Sequence, residues 1–240
     1  MAWCQGLRDE LKWLGAKLGA VRDLDVLRDR LEAGSGPNRD ALAPLFDSLV
    51  QDRDRAHAEL IDMLSSLRFA ELKGRLLEAV RNPQFAAGTA ETPCATALPP
   101  LAASAWHHLA RAGRKLDPGD ALPEDLHEVR IRAKRARYAA EAVAPSLDPD
   151  RSDAAWSFAR AAADIQDLLG DFHDAIVASA RILALSSQPD VSPAFRAAAE
   201  RLACRENQDA QDARDAFPDL WRCLDRKKRR QWMKPDRPPS

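Results

Sequence analysis

The segment 126–141, LHEVRIRAKRARYAAE, gathers four arginines, a lysine and a histidine in a chain whose formal net charge is only −1. At about 100° per residue on a helix, His127, Arg130, Lys134, Arg137 and Glu141 fall on one stripe, and Val129, Ala133, Ala136 and Ala140 fall on the opposite side. One face can pack while the other presents cations. Such a stripe has the chemistry to hold an extended anion. The planar fork of Arg grips two phosphate oxygens, Lys adds a compact point charge, and a histidine ring donates a hydrogen bond, more strongly when protonated. Arg130, Lys134 and Arg137 are the leading candidates. His127 joins them, although a structural histidine near a helix start would look the same. Arg135 borders the stripe, and Arg132 is turned toward water or an acidic neighbour. An ordinary solvated face shares this composition, and it is the regular spacing that argues for a site.

Near-neutral charge excludes the globally basic character of a nucleic-acid coat, so any polyanion must be held by a local patch. With 240 residues, 45% of them hydrophobic, the chain can bury one large core or two small ones. Abundant Ala and Leu, few aromatics and almost no alternating Val/Ile/Thr runs predict an all-α fold. Cys4, Cys94, Cys204 and Cys223 are scattered without a paired motif and read as reduced, structural thiols. No apolar run approaches the roughly 20 residues of a membrane span, and the first residues lack the order of a secretion signal. A cytoplasmic protein with no membrane contact is expected.

The elements that must position the stripe are also legible. Leu11, Leu14, Leu18, Val21, Leu24, Leu27 and Leu31 recur at steps of three and four, predicting a helix that Gly34-Ser-Gly-Pro37 ends near Ala33. Further helical patterns cover 39–65, 68–80, 101–115, 123–143, 150–185, 193–216 and 218–233, several opened by a proline preset for the first turn. The stretch 82–100, rich in Ala, Thr, Pro and Gly, reads as a linker between an N-terminal half, 1–81, and a C-terminal half, 101–233, with a disordered tail at 234–240. Leu18, Gly19, Asp23 and Val26 superimpose on Leu169, Gly170, Asp174 and Val177 with one constant offset and no gap, which makes the halves related. A helical glycine costs on the order of 1 kcal/mol relative to Ala, so its presence in both copies predicts another backbone passing close to Gly19 and Gly170.

The pattern His127-x-x-Arg130-x-x-x-Lys134-Arg135-x-Arg137-Tyr138-x-x-Glu141 resembles the signature helix of the CHAD family, the conserved-histidine α-helical domain. The segments 14–27, LGAKLGAVRDLDVL, and 168–177, LLGDFHDAIV, resemble the two copies of a second family motif. The resemblance covers nearly the whole chain. It implies two antiparallel helical bundles related by the internal repeat and forming a basic channel between them. It also implies non-catalytic binding of inorganic polyphosphate, for targeting to polyphosphate granules or for regulating polyphosphate metabolism. Because motif-bearing helices flank the channel in the family, Lys17 and Arg22 join the expected contacts. Asp23 and Asp174, which would repel a polyanion, are expected to pair with the Arg-rich helix. The repeat offset carried back from His127 points ahead of Met1, where family members have a further helix with a His-x-x-Arg pattern and paired Arg. That helix is expected from the upstream reading frame. Without it, an orphaned apolar groove would promote self-association or partial disorder of the first bundle.

Three alternatives stand beside this reading. The chain could be the accessory half of a tunnel-type triphosphatase, whose Glu-x-Glu-x-Lys strand it does not contain. It could bind metal through His57, His107, His108, His127 and His173, although no two of these stand four apart on a helix. It could bind nucleic acid through Arg226-Lys-Lys-Arg-Arg230, bracketed by Trp221 and Trp232, a cluster that equally extends an anion track. No Gly-rich phosphate loop and no Ser/His/Asp arrangement is evident, so neither catalysis nor a cofactor is expected.

Overall fold

The computed structural model describes residues 2–84, 88, 91–116 and 121–234, and among these the chain is helical with no strand. In order come α1 (Ala2–Ser35), a 3-10 turn (Gly36–Asn38), α2 (Ala43–Leu64), α3 (Leu67–Arg81), α4 (Cys94–Ala97), α5 (Pro99–Gly113) and α6 (Pro123–Val143). A second 3-10 turn (Ala144–Ser146), α7 (Pro149–Ser186), α8 (Pro193–Leu224) and a 3-10 segment (Lys227–Met233) follow. The all-α expectation holds. Residues 85–87, 89–90 and 235–240, parts of the expected linker and tail, lie outside the described residues.

Local chemistry sets the ends. Gly36 takes a φ of 47°, which a side chain would resist, and this stops α1 just past Ala33. The Ser66 hydroxyl accepts the Phe69 N–H at 3.2 Å to cap α3. Pro218 does not open a new helix as the sequence suggests; it lies inside α8. Its missing N–H costs a backbone bond. Phe217 and Leu224, 2% and 0% exposed, hold the helix through it, and packing overrides local propensity.

The chain divides into two compact units, Met1–Phe85 with Val177–Glu206, and Ala86–Ile176 with Asn207–Ser240. In the first, Leu27 and Leu31 of α1 pack with Leu42 and with Leu45, Phe46 and Leu49 of α2, closed by Ala178 and Ile182 of α7 and by Phe195 and Ala199 of α8. Its buried Glu206, 1% exposed, is paired with Arg30. In the second, Trp106 and Leu109 of α5, Phe158 and Ile165 of α7, Phe217 of α8 and Trp232 build the core around the apolar face of α6. Trp106 is its aromatic hub, edge-on to Phe158 at 5.7 Å and stacked on Trp221 at 6.0 Å. Repeat-equivalent positions differ in cover: Leu18 is 46% exposed, Leu169 only 1%.

Cys4, Cys94 and Cys204 are exposed and Cys223 half-buried, which corrects the reading of them as structural thiols. No described helix is long and apolar enough to cross a membrane.

Candidate functional site

Helix α6 starts where Pro123 presets the first turn, with Glu124 and Asp125 placed to favour the positive end of the helix dipole. Asp125 Oδ2 also accepts the Leu122 N–H at 3.3 Å. Leu126, Val129, Ala133, Ala136, Ala140 and Val143 are all buried, so the apolar face predicted from periodicity is the face that packs. Its small alanines let α6 lie close against α5. The opposite stripe is thereby fixed outward.

His127, Lys134 and Arg135 are exposed, and Arg130 and Arg137 half-buried. Three contacts tie the stripe to α7. The His127 and His173 rings lie 5.2 Å apart, the Arg130 guanidinium lies over Gly170, and Arg137 Nη1 donates to Gln166 Oε1 at 3.4 Å. Partners descend along α7 as they ascend along α6, so the two helices run antiparallel here. Sequence reading missed Gln166, and named His173 only as a candidate metal ligand, because no period on one helix reveals its neighbour. The Gly170 signal was visible, but its cause differs from the expected one. A Cβ at 170 would meet Arg130 Nε at 3.5 Å, a side chain and not a backbone, and one at Gly19 would meet nothing nearer than Asp23 Oδ2 at 3.9 Å.

The charges are unevenly compensated. Arg132 pairs with Glu128, as expected for an arginine off the stripe, and Arg137 Nε donates to Glu141 Oε1 at 2.8 Å. That bond to Glu141 raises the Arg137 pKa further. Arg130, Lys134 and Arg135 make no ion pair with any described residue, and Arg130 Nε is buried without a hydrogen-bond partner. Asp23 and Asp174 also form no ion pair with a described residue, so the expected pairing with the Arg-rich helix is replaced by Glu128 and Glu141 on α6 itself. Tyr138 lies beneath two cations, 5.8 Å from Lys134 Nζ and 5.3 Å from Arg137 Cζ. His127 is exposed, yet partial burial, then the charge of His173 and that of Arg130, hold its pKa below the ordinary value. Lys17 and Arg22 belong to the other unit, where Lys17 donates to Glu59 Oε2 at 2.8 Å and Arg22 is exposed. Among the described residues no cluster of three or more His, Cys, Asp or Glu is placed to hold a metal.

Residues 2–183 match the sequence model of the family described as CHAD domain. The chain belongs to the CHAD family. The match takes in α6 and both copies of the second motif. Among solved structures, PptA from Streptomyces chartreusis superimposes on this CHAD protein with a TM-score of 0.72 at 24% identity, over 92% of this chain and 80% of that one. At that identity the likeness speaks for the fold alone. No curated protein matches the chain.

Proposed function

We propose that the α6 stripe binds inorganic polyphosphate without transforming it, as a cytoplasmic module that serves polyphosphate granules or the regulation of polyphosphate metabolism. The supporting observation is the row of cations with no ionic partner among the described residues, Arg130, Lys134 and Arg135, with His127 and Arg137 at its ends. From His127 to Arg137 the helix rises about 15 Å, enough for several phosphates of a flexible chain. Family membership supports the same ligand. At the 226–230 cluster the nucleic-acid alternative finds little open ring face, because Trp232 is 1% exposed and Trp221 is stacked on Trp106 and Phe217.

Calorimetric titration with polyphosphate of defined length tests this reading. Saturable binding is expected that DNA at near-physiological salt does not displace, with no phosphate released from tripolyphosphate. Heats no larger than those of equivalent inorganic phosphate would overturn it. Lys17→Ala is expected to change affinity less than twofold, because Glu59 already takes up its charge; fluorescence anisotropy on the variant checks this.

Binding should strengthen as pH falls. His127 has its pKa lowered in the folded protein, so it is largely neutral at neutral pH; a bound polyanion stabilises the protonated ring and raises the pKa, coupling binding to proton uptake. Affinity is expected to rise several-fold between roughly pH 7.5 and 5.5, across the ordinary histidine value of about 6.5, with the rise reduced in His127→Gln. The sign for stability is opposite. The unfolded chain takes the proton more readily, so this group makes folding less favourable as pH falls through the unfolded and then the folded pKa. Anisotropy and thermal melts across that pH range should move in opposite directions.

A further inference from the structure

The second unit contains a cavity of about 300 Å³ built from residues that the α6 stripe does not use: Ala154 and Ser157 of α7, with Arg226, Lys228 and Arg229 from the chain just after α8. Its wall is anchored. Trp232 is buried edge-on to Phe158 at 5.9 Å, and Arg151 Nη2 donates to the Trp232 and Lys234 carbonyls at 2.9 and 3.0 Å. Arg229 Nη1 donates to the Ser157 carbonyl at 2.9 Å and to its Oγ at 2.7 Å, which fixes the guanidinium against α7.

The basic run 226–230 is thus divided between two tasks. Arg230 turns inward, to Asp225 Oδ1 at 3.1 Å and over the Trp106 ring at 4.7 Å. Arg226, Lys228 and Arg229 are left on the cavity, and no carboxylate lines it among the described residues. Asp225 is engaged by Arg114 at 2.7 Å as well as by Arg230. The nearest acids along α7, Asp150 and Asp153, are exposed and outside the lining. Arg226 and Lys228 make no ion pair with a described residue. Because Ser157 Oγ accepts from Arg229, its own hydroxyl proton is available to a ligand, so the cavity offers donors of positive or neutral character. Like charges gathered in a concave site raise the local concentration of anions.

We propose that this cavity is a second anion site, independent of the α6 stripe, and that it takes a short phosphate chain of about tripolyphosphate size. Three cations match several phosphate charges better than a single carboxylate; the Arg226 fork can clasp one phosphate, while Arg229, held by Ser157 and by Cys223 Sγ at 3.5 Å, contributes a fixed positive charge. The volume falls at the lower end of the range for small-ligand sites, roughly 300–1,000 Å³. Among the described residues no aromatic face lines it to receive a nucleobase.

The test is calorimetry with tripolyphosphate on the full chain and on Arg226→Glu/Lys228→Glu, with Arg226→Gln/Lys228→Gln as the variant that removes charge and keeps shape. Neither residue is ion-paired to a described residue, so circular dichroism melts should be unchanged. The wild type is expected to take two equivalents of tripolyphosphate and both cavity variants one, while Arg130→Glu/Lys134→Glu/Arg137→Glu retains the cavity equivalent. Equal stoichiometry and affinity in wild type and cavity variants would overturn the second site. Failure of the α6 reading is separable, since the α6 variant would then lose nothing while the cavity variants still lose an equivalent. Long-chain polyphosphate identifies the source of the ligand. A tenfold weaker long-chain affinity in the cavity variants shows that the site takes the end of the long polymer, and an unchanged one shows that it takes free short chains.

Discussion

Reversing three charges on α6, Arg130→Glu, Lys134→Glu and Arg137→Glu, is expected to abolish polyphosphate binding while leaving the helix folded. The fold should survive because α6 is held by Leu126, Val129, Ala133, Ala136, Ala140 and Val143, none of which changes. Hydrogen bonds to charged groups contribute roughly 1.5–3 kcal/mol each, so each single reversal should weaken binding on the order of tenfold or more. Lys134→Glu is the cleanest of the three, since Lys134 is exposed and has no ion-pair partner among the described residues to strand. Arg137→Glu also leaves Gln166 unmatched and sets two glutamates four apart with Glu141, at a cost of a few tenths of a kcal/mol to the helix.

Salt dependence separates contact from general field. Each lost phosphate contact should reduce the slope of log affinity against log salt by about 0.7, taking a single-stranded polyanion as the guide. Arg132→Glu is the control, because Arg132 is already paired with Glu128 off the stripe; it should change affinity less than threefold. Anisotropy in a salt series on the four single variants and the triple variant, with circular dichroism for helicity, decides the matter. Equal losses for Arg132→Glu and Lys134→Glu would reduce the site to diffuse charge, and unchanged affinity in the triple variant would sink it.

The helix that carries the stripe was legible because its signals are local. Pro123 marks its start, the apolar period marks its buried side, and the cations fall where that period leaves them. What the sequence could not show lies across the chain. Gln166, Gly170 and His173 meet Arg137, Arg130 and His127 only after α7 has turned back, and hydrophobic periodicity says which side of a helix packs without saying against what. The same limit hid the division of α7, whose Phe158 and Ile165 enter one core and whose Ala178 and Ile182 enter the other. Asp174 looked like the natural partner of the Arg-rich helix. The arginines found Glu128 and Glu141 instead, four residues away on their own helix, where pairing needs no ordering of a distant segment. Pro218 misled for the converse reason: a strong local breaker was overruled by the burial of Phe217 and Leu224.

Glycine substitutions should separate stability from binding. Gly113→Ala is expected to be the most damaging small change in the second unit, because a Cβ there would overlap the six-membered ring of Trp221. That ring cannot easily yield, being stacked between Trp106 at 6.0 Å and Phe217 at 6.0 Å. Overpacking of this kind costs about 3 kcal/mol, which for a chain of this size lowers the melting temperature by roughly 6–12 °C. Trp221→Leu in the same chain should recover part of the loss, giving a coupling between the two sites that independent changes would not show. At Gly170 the opposite holds. A Cβ fits at ordinary contact distance, so Gly170→Ala should be neutral or stabilise by up to about 1 kcal/mol through helix propensity, with binding retained. Gly170→Leu should displace the Arg130 guanidinium and weaken polyphosphate binding on the order of tenfold, about 1.4 kcal/mol, with the melting temperature little changed. Thermal melts and titrations on the three variants read both quantities. If Gly170→Leu binds as well as the wild type, Arg130 is not held over Gly170 for the sake of the anion, and if Gly113→Ala melts with the wild type, the aromatic stack is softer than its geometry indicates.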